Sequence, residues 1–346
     1  MKAETQRRFS ATRRALLSGA LLSGLAAVLL AVPGAARAAE YTWDMPDIFS
    51  AKSSDGVADQ LFGKLVAEKT GGRIEIVHHF DGSLGYSGVD QLDAVRDGAV
   101  PLARQSMSYL SGYDPLFQLS SLPFLMKNKQ DVETLYRIAR PAFETLLLKY
   151  DQVLVSVGLF PPSGLWSRTP VTSIADLQNL KLRVFDINSL ETFKRAGAAA
   201  INMGWTDVLP ALSTKAIDGV LTSADLGFSS SIQDFLPAFT EVNWTIPLSV
   251  VAINKDVWDG LPDDLKQAVR EAGDETTQKT IDRLVTQVQH NYEGMRAAGV
   301  TITEHIDPAF REKLVEAAQP TIEAWKEKVG PEGRKILAEY LAQASK

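Results

Sequence analysis

Three observations predict an α/β fold in two domains. Strand-like runs of period two alternate along the chain with helix-like runs of period 3.6, the pattern of α/β architecture. The 346 residues, 45% hydrophobic and 23% charged, fit about two domains of ordinary globular composition. One amphipathic stretch, from Pro262 to about Ala298, is too long for a typical globular helix and is expected to run across both domains.

The N-terminus reads as a leader. Arg7, Arg8, Arg13 and Arg14 precede a run from Ala15 to Val32 rich in Ala, Leu and Gly. Ala36-Arg37-Ala38 then supplies small residues where a signal peptidase reads. Residues 1–38 are expected to be a signal peptide cleaved after Ala38. A membrane anchor is the other reading, which the Gly and Ser content of the run disfavours. Thr12-Arg13-Arg14-Ala15-Leu16-Leu17 also resembles a twin-arginine signal, so the export route stays open. Cleavage removes six of the 36 basic residues and one of the 42 acidic ones, leaving 30 and 41 and a net charge of −11. Such a chain is a poor nucleic-acid partner, and the periplasm is its expected compartment.

In the mature chain, Val57, Leu61, Leu65 and Val66 share a helical face that Gly71-Gly72 ends. Arg73–His79 reads as a strand. Val89, Leu92 and Val95 mark a second helix, and Val132, Leu135, Ile138, Phe143 and Leu146 a third. Val153, Val155 and Val157 alternate as a buried strand, and Lys181–Phe185 is another. Asn188 is placed to cap a helix through Phe193, closed by Gly197, and Thr206 to cap the next. Val250–Asn254 is a strand, and Pro308–Ala344 is helical.

Catalytic patterns are missing: there is no G-x-S-x-G elbow and no phosphate loop. Asp263-Asp264 sits at a helix start, where the helix dipole explains it. There is no cysteine. His78 and His79 are adjacent on a strand and point to opposite faces, so a zinc site is not expected. No cofactor and no metal is called for.

The segment Asp176–Thr222 carries the most specific pattern. Asp176, Leu177, Lys181 and Arg183 are followed by Gly197-Ala198, Trp205, Asp207-Val208, Ala211-Leu212 and Asp218-Gly219. Glu68-Lys69-Thr70-Gly71-Gly72-Arg73, Gly82-Ser83-Leu84-Gly85 and Leu122-Pro123-Phe124 agree as well. These motifs resemble the solute-binding subunits of TRAP transporters, the DctP-type family that includes dicarboxylate- and sialic-acid-binding proteins, over nearly the whole mature chain. The resemblance implies a two-domain periplasmic-binding-protein clam-shell with discontinuous domains and a long helix spanning both. Residues 39–160 plus about 249–288 would form domain I, and 161–248 plus about 289–346 domain II. It implies a non-enzyme that captures a small organic acid and hands it to integral membrane subunits. An ABC-importer binding protein or an accessory sensor for an organic acid is the alternative.

The resemblance makes Arg183 the anchor of a ligand carboxylate, for which its planar fork suits two parallel hydrogen bonds. From the residues alone, a surface or structural salt bridge is the plainer reading. Trp205 matches an aromatic that packs on the ligand, or else is a core tryptophan. Thr222 stands where many members carry a ligand-binding asparagine, and its hydroxyl can supply one bond. Sialic-acid-type members have a second basic residue about twenty positions before Arg183. Here Pro161–Trp166 replaces it, so one arginine plus Trp166 points to a monocarboxylate with an apolar or aromatic body. Trp166 packed in the hinge is the other reading. Met45, Tyr86, Ser106 and Tyr109 complete the candidate site, each with plain packing as the alternative.

Overall fold

The computed structural model describes residues 38–344. The leader expected over 1–38 lies outside the described residues except for Ala38 itself. A first lobe begins with β1 (Tyr41–Pro46), α1 (Ser54–Lys69), β2 (Ile74–His79), α2 (Gln91–Arg96), β3 (Leu102–Ser106), α3 (Lys129–Leu148) and β4 (Gln152–Leu159). The second lobe follows with β5 (Ser163–Ser167), α4 (Ile174–Leu177), β6 (Leu182–Val184), α5 (Ile187–Arg195), β7 (Ile201–Asn202), α6 (Val208–Ser213), β8 (Gly219–Ser223), α7 (Ala224–Ser229) and β9 (Ala238–Thr240). The chain returns through β10 (Leu248–Asn254), α8 (Lys255–Asp259) and α9 (Asp263–Ala297), then ends in β11 (Thr301–Thr303), α10 (Pro308–Lys328) and α11 (Gly330–Gln343).

In the first lobe β1 and β2 pair in parallel, and β10 lies antiparallel between β3 and β4. The second lobe holds a six-stranded mixed sheet in the order β11-β9-β5-β8-β6-β7. Each sheet system therefore draws on separated stretches of sequence, and the chain crosses between β4 and β5 and again between β9 and β10. Helix α9 starts after Pro262 with Asp263 and Asp264 in its first turn, where they favour the dipole. Its 35 residues reach about 50 Å. Leu265 and Val269 enter the core beside β1, Ile281 and Leu284 the core beneath α3, and Tyr292 and Met295 the core of the second lobe.

The strand β4 alternates differently from expectation. A register shift opposite Val251 and Ala252 leaves Val155 as an extra residue, a bulge that flips the side-chain parity. Val153 and Val155 face one core, whereas Leu154, Val157 and Leu159 face another. Helix α9 seals the bulge: the Val157 N–H donates to Thr277 Oγ1 at 2.9 Å. A Cβ on Gly273 would lie 1.7 Å from the Val155 carbonyl oxygen, so only glycine permits this approach.

Two caps also differ. Asp186, not Asn188, caps α5, accepting from Ser189 N at 2.8 Å. Asn188 instead turns toward Ser121 of the first lobe. Gly197 does follow that helix, at φ +97°, a conformation that glycine supplies without strain. Thr206 is exposed within a tight turn over Trp205–Asp207, and α6 begins only at Val208. Residues 289–346, expected to accompany the second domain, divide instead. Phe310, Leu314 and Ala318 of α10 join the second lobe. Trp325, Ile336, Leu337 and Tyr340 pack with α3 and β4 in the first. The 21 residues of α10 span about 30 Å, enough to leave one core and reach the other. Among the described residues no helix is long and apolar enough to cross a membrane.

Candidate ligand-binding site

The strand β6 places Arg183 in the second-lobe sheet, with Leu182 and Arg183 registered against Gly219 and Val220 of β8. The side chain is 1% exposed. Its Nε donates to the Met203 carbonyl at 3.0 Å and its Nη1 to the Leu221 carbonyl at 3.3 Å. Its Nη2 reaches across to the first lobe and donates to the Tyr109 hydroxyl at 3.0 Å. The Trp205 ring lies 5.3 Å from the guanidinium carbon, close enough for a cation–π contact.

No carboxylate pairs with Arg183 among the described residues. Burial pushes its guanidinium below the ordinary value, and Tyr109 and Asp186 offset only part of that. A second buried arginine shows what full pairing looks like. Arg104 donates through Nε to Asp59 Oδ1 at 2.8 Å and through Nη2 to the same oxygen. Its Nη1 meets Ser249 Oγ, which donates to Asp55 Oδ1 at 2.8 Å. Burial works against the Arg104 charge too, but Asp59 and Asp55 outweigh it and hold that guanidinium above its usual value. Taking a charge out of water without a counter-charge is costly. Three of the five guanidinium N–H groups of Arg183 are used by protein oxygens, which leaves two for an anion.

Arg183 lines a narrow pocket between the lobes. Phe49, Ser106, Ser108, Tyr109 and Phe160 come from the first lobe. Ser163, Phe185, Trp205, Thr222, Ser223 and Leu226 face them from the second, and Pro247 closes the return crossing. The Phe49 ring packs edge-on against Phe160 at 4.9 Å and Trp205 at 6.2 Å. Arginine, aromatic faces and hydroxyls thus converge, and no second cation lines the space.

Of the residues the sequence singled out, Arg183, Trp205, Thr222, Ser106 and Tyr109 meet at this pocket. Trp166, Met45 and Tyr86 do not. Trp166 is fully buried beside Phe239, with Nε1 donating to the Ser223 carbonyl at 3.1 Å. Strand alternation explains it: Ser163 faces the pocket, so Trp166, three residues on, points to the opposite face of β5. Met45 lies with Trp43 and Phe62 in the first-lobe core, and Tyr86 packs beside Val95 and Val100. Two residues that sequence reasoning missed, Phe185 and Ser108, lie just past the ends of β6 and β3, where strand alternation no longer applies. Phe49 and Phe160 sit where the chain enters and leaves strands and carry no local signal.

Trp166→Ala is expected to cost about 3–5 kcal/mol of stability while leaving the affinity of the folded protein within about threefold. Urea unfolding and calorimetric titration check this. Lost affinity with intact stability would contradict the core placement.

Residues 47–328 match the family described as bacterial extracellular solute-binding protein, family 7. The chain belongs to this family. Its members are periplasmic solute-binding proteins of TRAP transporters, not enzymes. The chain is 26% identical over 330 residues to the C4-dicarboxylate-binding periplasmic protein DctP of Rhodobacter capsulatus, covering 93% of this chain and 96% of that one. A marine metagenome TRAP solute-binding protein specific for pyroglutamate is 27% identical, with TM-score 0.82 over 87% of this chain and 98% of that chain. DctP7, a Bordetella pertussis extracytoplasmic solute receptor binding pyroglutamic acid, is 25% identical, with TM-score 0.83 over 87% and 99%. The two-domain α/β fold of this family is the fold described above.

Proposed function

We propose that this solute-binding protein captures a compact monocarboxylate with a largely apolar body and delivers it to the membrane subunits of a TRAP transporter. One observation carries the reading. Arg183 is buried without an anionic partner, whereas Arg104, equally buried, is fully paired. The ligand carboxylate takes the two remaining N–H groups of Arg183, with hydroxyls such as Thr222 and Ser163 within the same pocket. Phe49, Phe160, Phe185 and Trp205 cover the body of the ligand. A lone cation offers nothing for a second carboxylate, whose unpaired burial would be costly. Pyroglutamate, one carboxylate on a small ring, has the right shape, and the two relatives above that bind it support the choice. Residues 39–160 with 249–288, together with the C-terminal helix, act as one domain. It closes on residues 161–248 when ligand arrives, because the ligand contacts both. A signal peptide over 1–38 delivers the chain to the periplasm.

Thermal-shift screening followed by calorimetry, over pyroglutamate, branched and aromatic monocarboxylates, dicarboxylates and sugar acids, tests the reading. Binding to the native state raises its melting point. Monocarboxylates are expected to give the largest shifts. Shifts confined to dicarboxylates or sugar acids would overturn the single-arginine reading.

A further inference from the structure

Asp225 stands two residues after the pocket residue Ser223 and just before Leu226, in the first turn of α7. Its carboxylate is 2% exposed, and no basic side chain pairs with it among the described residues. It is nevertheless fully engaged. Oδ2 accepts the backbone N–H of Ser54 at 2.7 Å. Oδ1 accepts from Gln287 Nε2 at 3.0 Å and Asn291 Nδ2 at 3.3 Å. These partners lie on different bodies. Ser54 is the first residue of α1 in the first lobe, whereas Gln287 and Asn291 are on α9. The first N–H groups of a helix have no partner within it, and its positive end attracts a carboxylate. Asp225 is therefore placed to tie the start of α1 to the second lobe.

The tie bears on the pocket through a short loop. Ser53 caps α1, accepting from Gly56 N at 3.1 Å, and its own N–H donates to the Ser50 carbonyl at 3.0 Å. Asp47 Oδ1 accepts from Phe49 N at 2.8 Å. With those bonds made, fixing Ser54 also fixes where the Phe49 ring stands against Trp205 and Phe160. We infer that Asp225 is a positioning residue for ligand capture, holding the Phe49 wall and the start of α1 against the second lobe so that the pocket closes over its ligand. The inference rests on the proposed ligand pocket for its consequence, but not for its geometry.

Ser54→Pro isolates the contact. It deletes the N–H that Asp225 accepts, at the first helical position, where proline is well tolerated. The preceding Ser53, at φ −67° and ψ 164°, already has the extended conformation that precedes proline. Ser54→Ala keeps the N–H and removes only the hydroxyl, which also interacts with Asp225, so it separates the two contributions. The absence of cysteine allows spin labels at Lys64→Cys on α1 and Lys194→Cys on α5 to report the distance between lobes. Without ligand, Ser54→Pro and Asp225→Asn are each expected to shift the distance distribution to longer values, with no further shift in the double variant. Ser54→Ala is expected to shift it less than Ser54→Pro, because the N–H is kept. With pyroglutamate as probe, each of the two variants is expected to weaken binding about tenfold or more, as for a charge-assisted hydrogen bond, chiefly through faster dissociation. Unchanged distances in Ser54→Pro and Asp225→Asn would overturn the inference, as would additive effects in the double variant. If pyroglutamate fails to bind the parent protein, the ligand reading falls, while the ligand-free distances still decide the role of Asp225.

Discussion

Arg183→Met is expected to weaken capture of the carboxylate about thirtyfold or more while leaving the unliganded protein close to the parent in stability. The two effects have one origin. In the unliganded protein the guanidinium is buried against Tyr109, two carbonyls and the Trp205 face, and Asp186 offsets only part of its lost hydration. Replacing it by an apolar side chain of similar length removes that burial cost, against which stand the three hydrogen bonds it gives up. The bound state loses instead. A charge-assisted pair in a closed pocket is worth about 2–5 kcal/mol when one partner is removed, or a loss of roughly thirtyfold to several thousandfold in affinity. Arg183→Lys keeps the charge but not the planar fork, and is expected to fall between the two. Calorimetric titration and urea unfolding of the same preparations check both halves. If Arg183→Met binds as well as the parent, the anchor assignment is wrong. If it binds poorly only because it unfolds, Arg183 is a structural residue.

What the sequence could and could not tell follows from the kind of signal each residue leaves. Arg183 on β6, Trp205 after β7 and Thr222 on β8 lie within one motif-bearing segment, and the resemblance carried by that segment names all three together. The first-lobe wall lies outside it. Ser106 and Tyr109 are named only because they follow a strand, and it is Phe49 rather than Met45 that lines the pocket. The residues after β1 leave extended structure, so period two no longer tells which side chain reaches the cleft. Trp166 failed for a sharper reason: its large apolar face suits a pocket and a core equally. Only the parity of β5, counted from Ser163, decides between them. The β4 bulge lay hidden in the same way, because one extra residue flips every side chain beyond it, and nothing in a valine-rich run marks the spot. Helix α10 shows the limit at larger scale. Its amphipathic pattern predicts a helix, but not that Phe310 and Trp325 face different cores.

Arg104 is expected to behave in the opposite way to Arg183, and the contrast tests the argument that identified the site. Arg104→Met removes the cation shared by Asp59, Asp55 and Asp47, all of them buried. Breaking a buried pair from one side strands the other charge, at a cost of about 3–5 kcal/mol. The pH dependence has a definite sign. Burial pushes the Asp55 carboxyl up to about 6, opposed by Arg104 and reinforced by Asp59. Burial, with Asp59 and Asp55, raises Asp47 well above the usual carboxylate range. A carboxyl raised in the folded state contributes stability that is fully present below its unfolded value, near 4, and is lost as pH rises through its folded value. The parent is therefore expected to lose part of its stability between about pH 4 and 6. Without Arg104 the folded-state values rise further, so the loss deepens and extends to higher pH. Urea unfolding should then show a penalty for Arg104→Met that is larger at pH 8 than at pH 5. Ligand affinity of the variant that remains folded should change little, because Arg104 does not line the pocket. An equal penalty at both pH values would mean that packing rather than charge holds Arg104 in place. The contrast with an unpaired Arg183 would then lose its force as evidence for the ligand site.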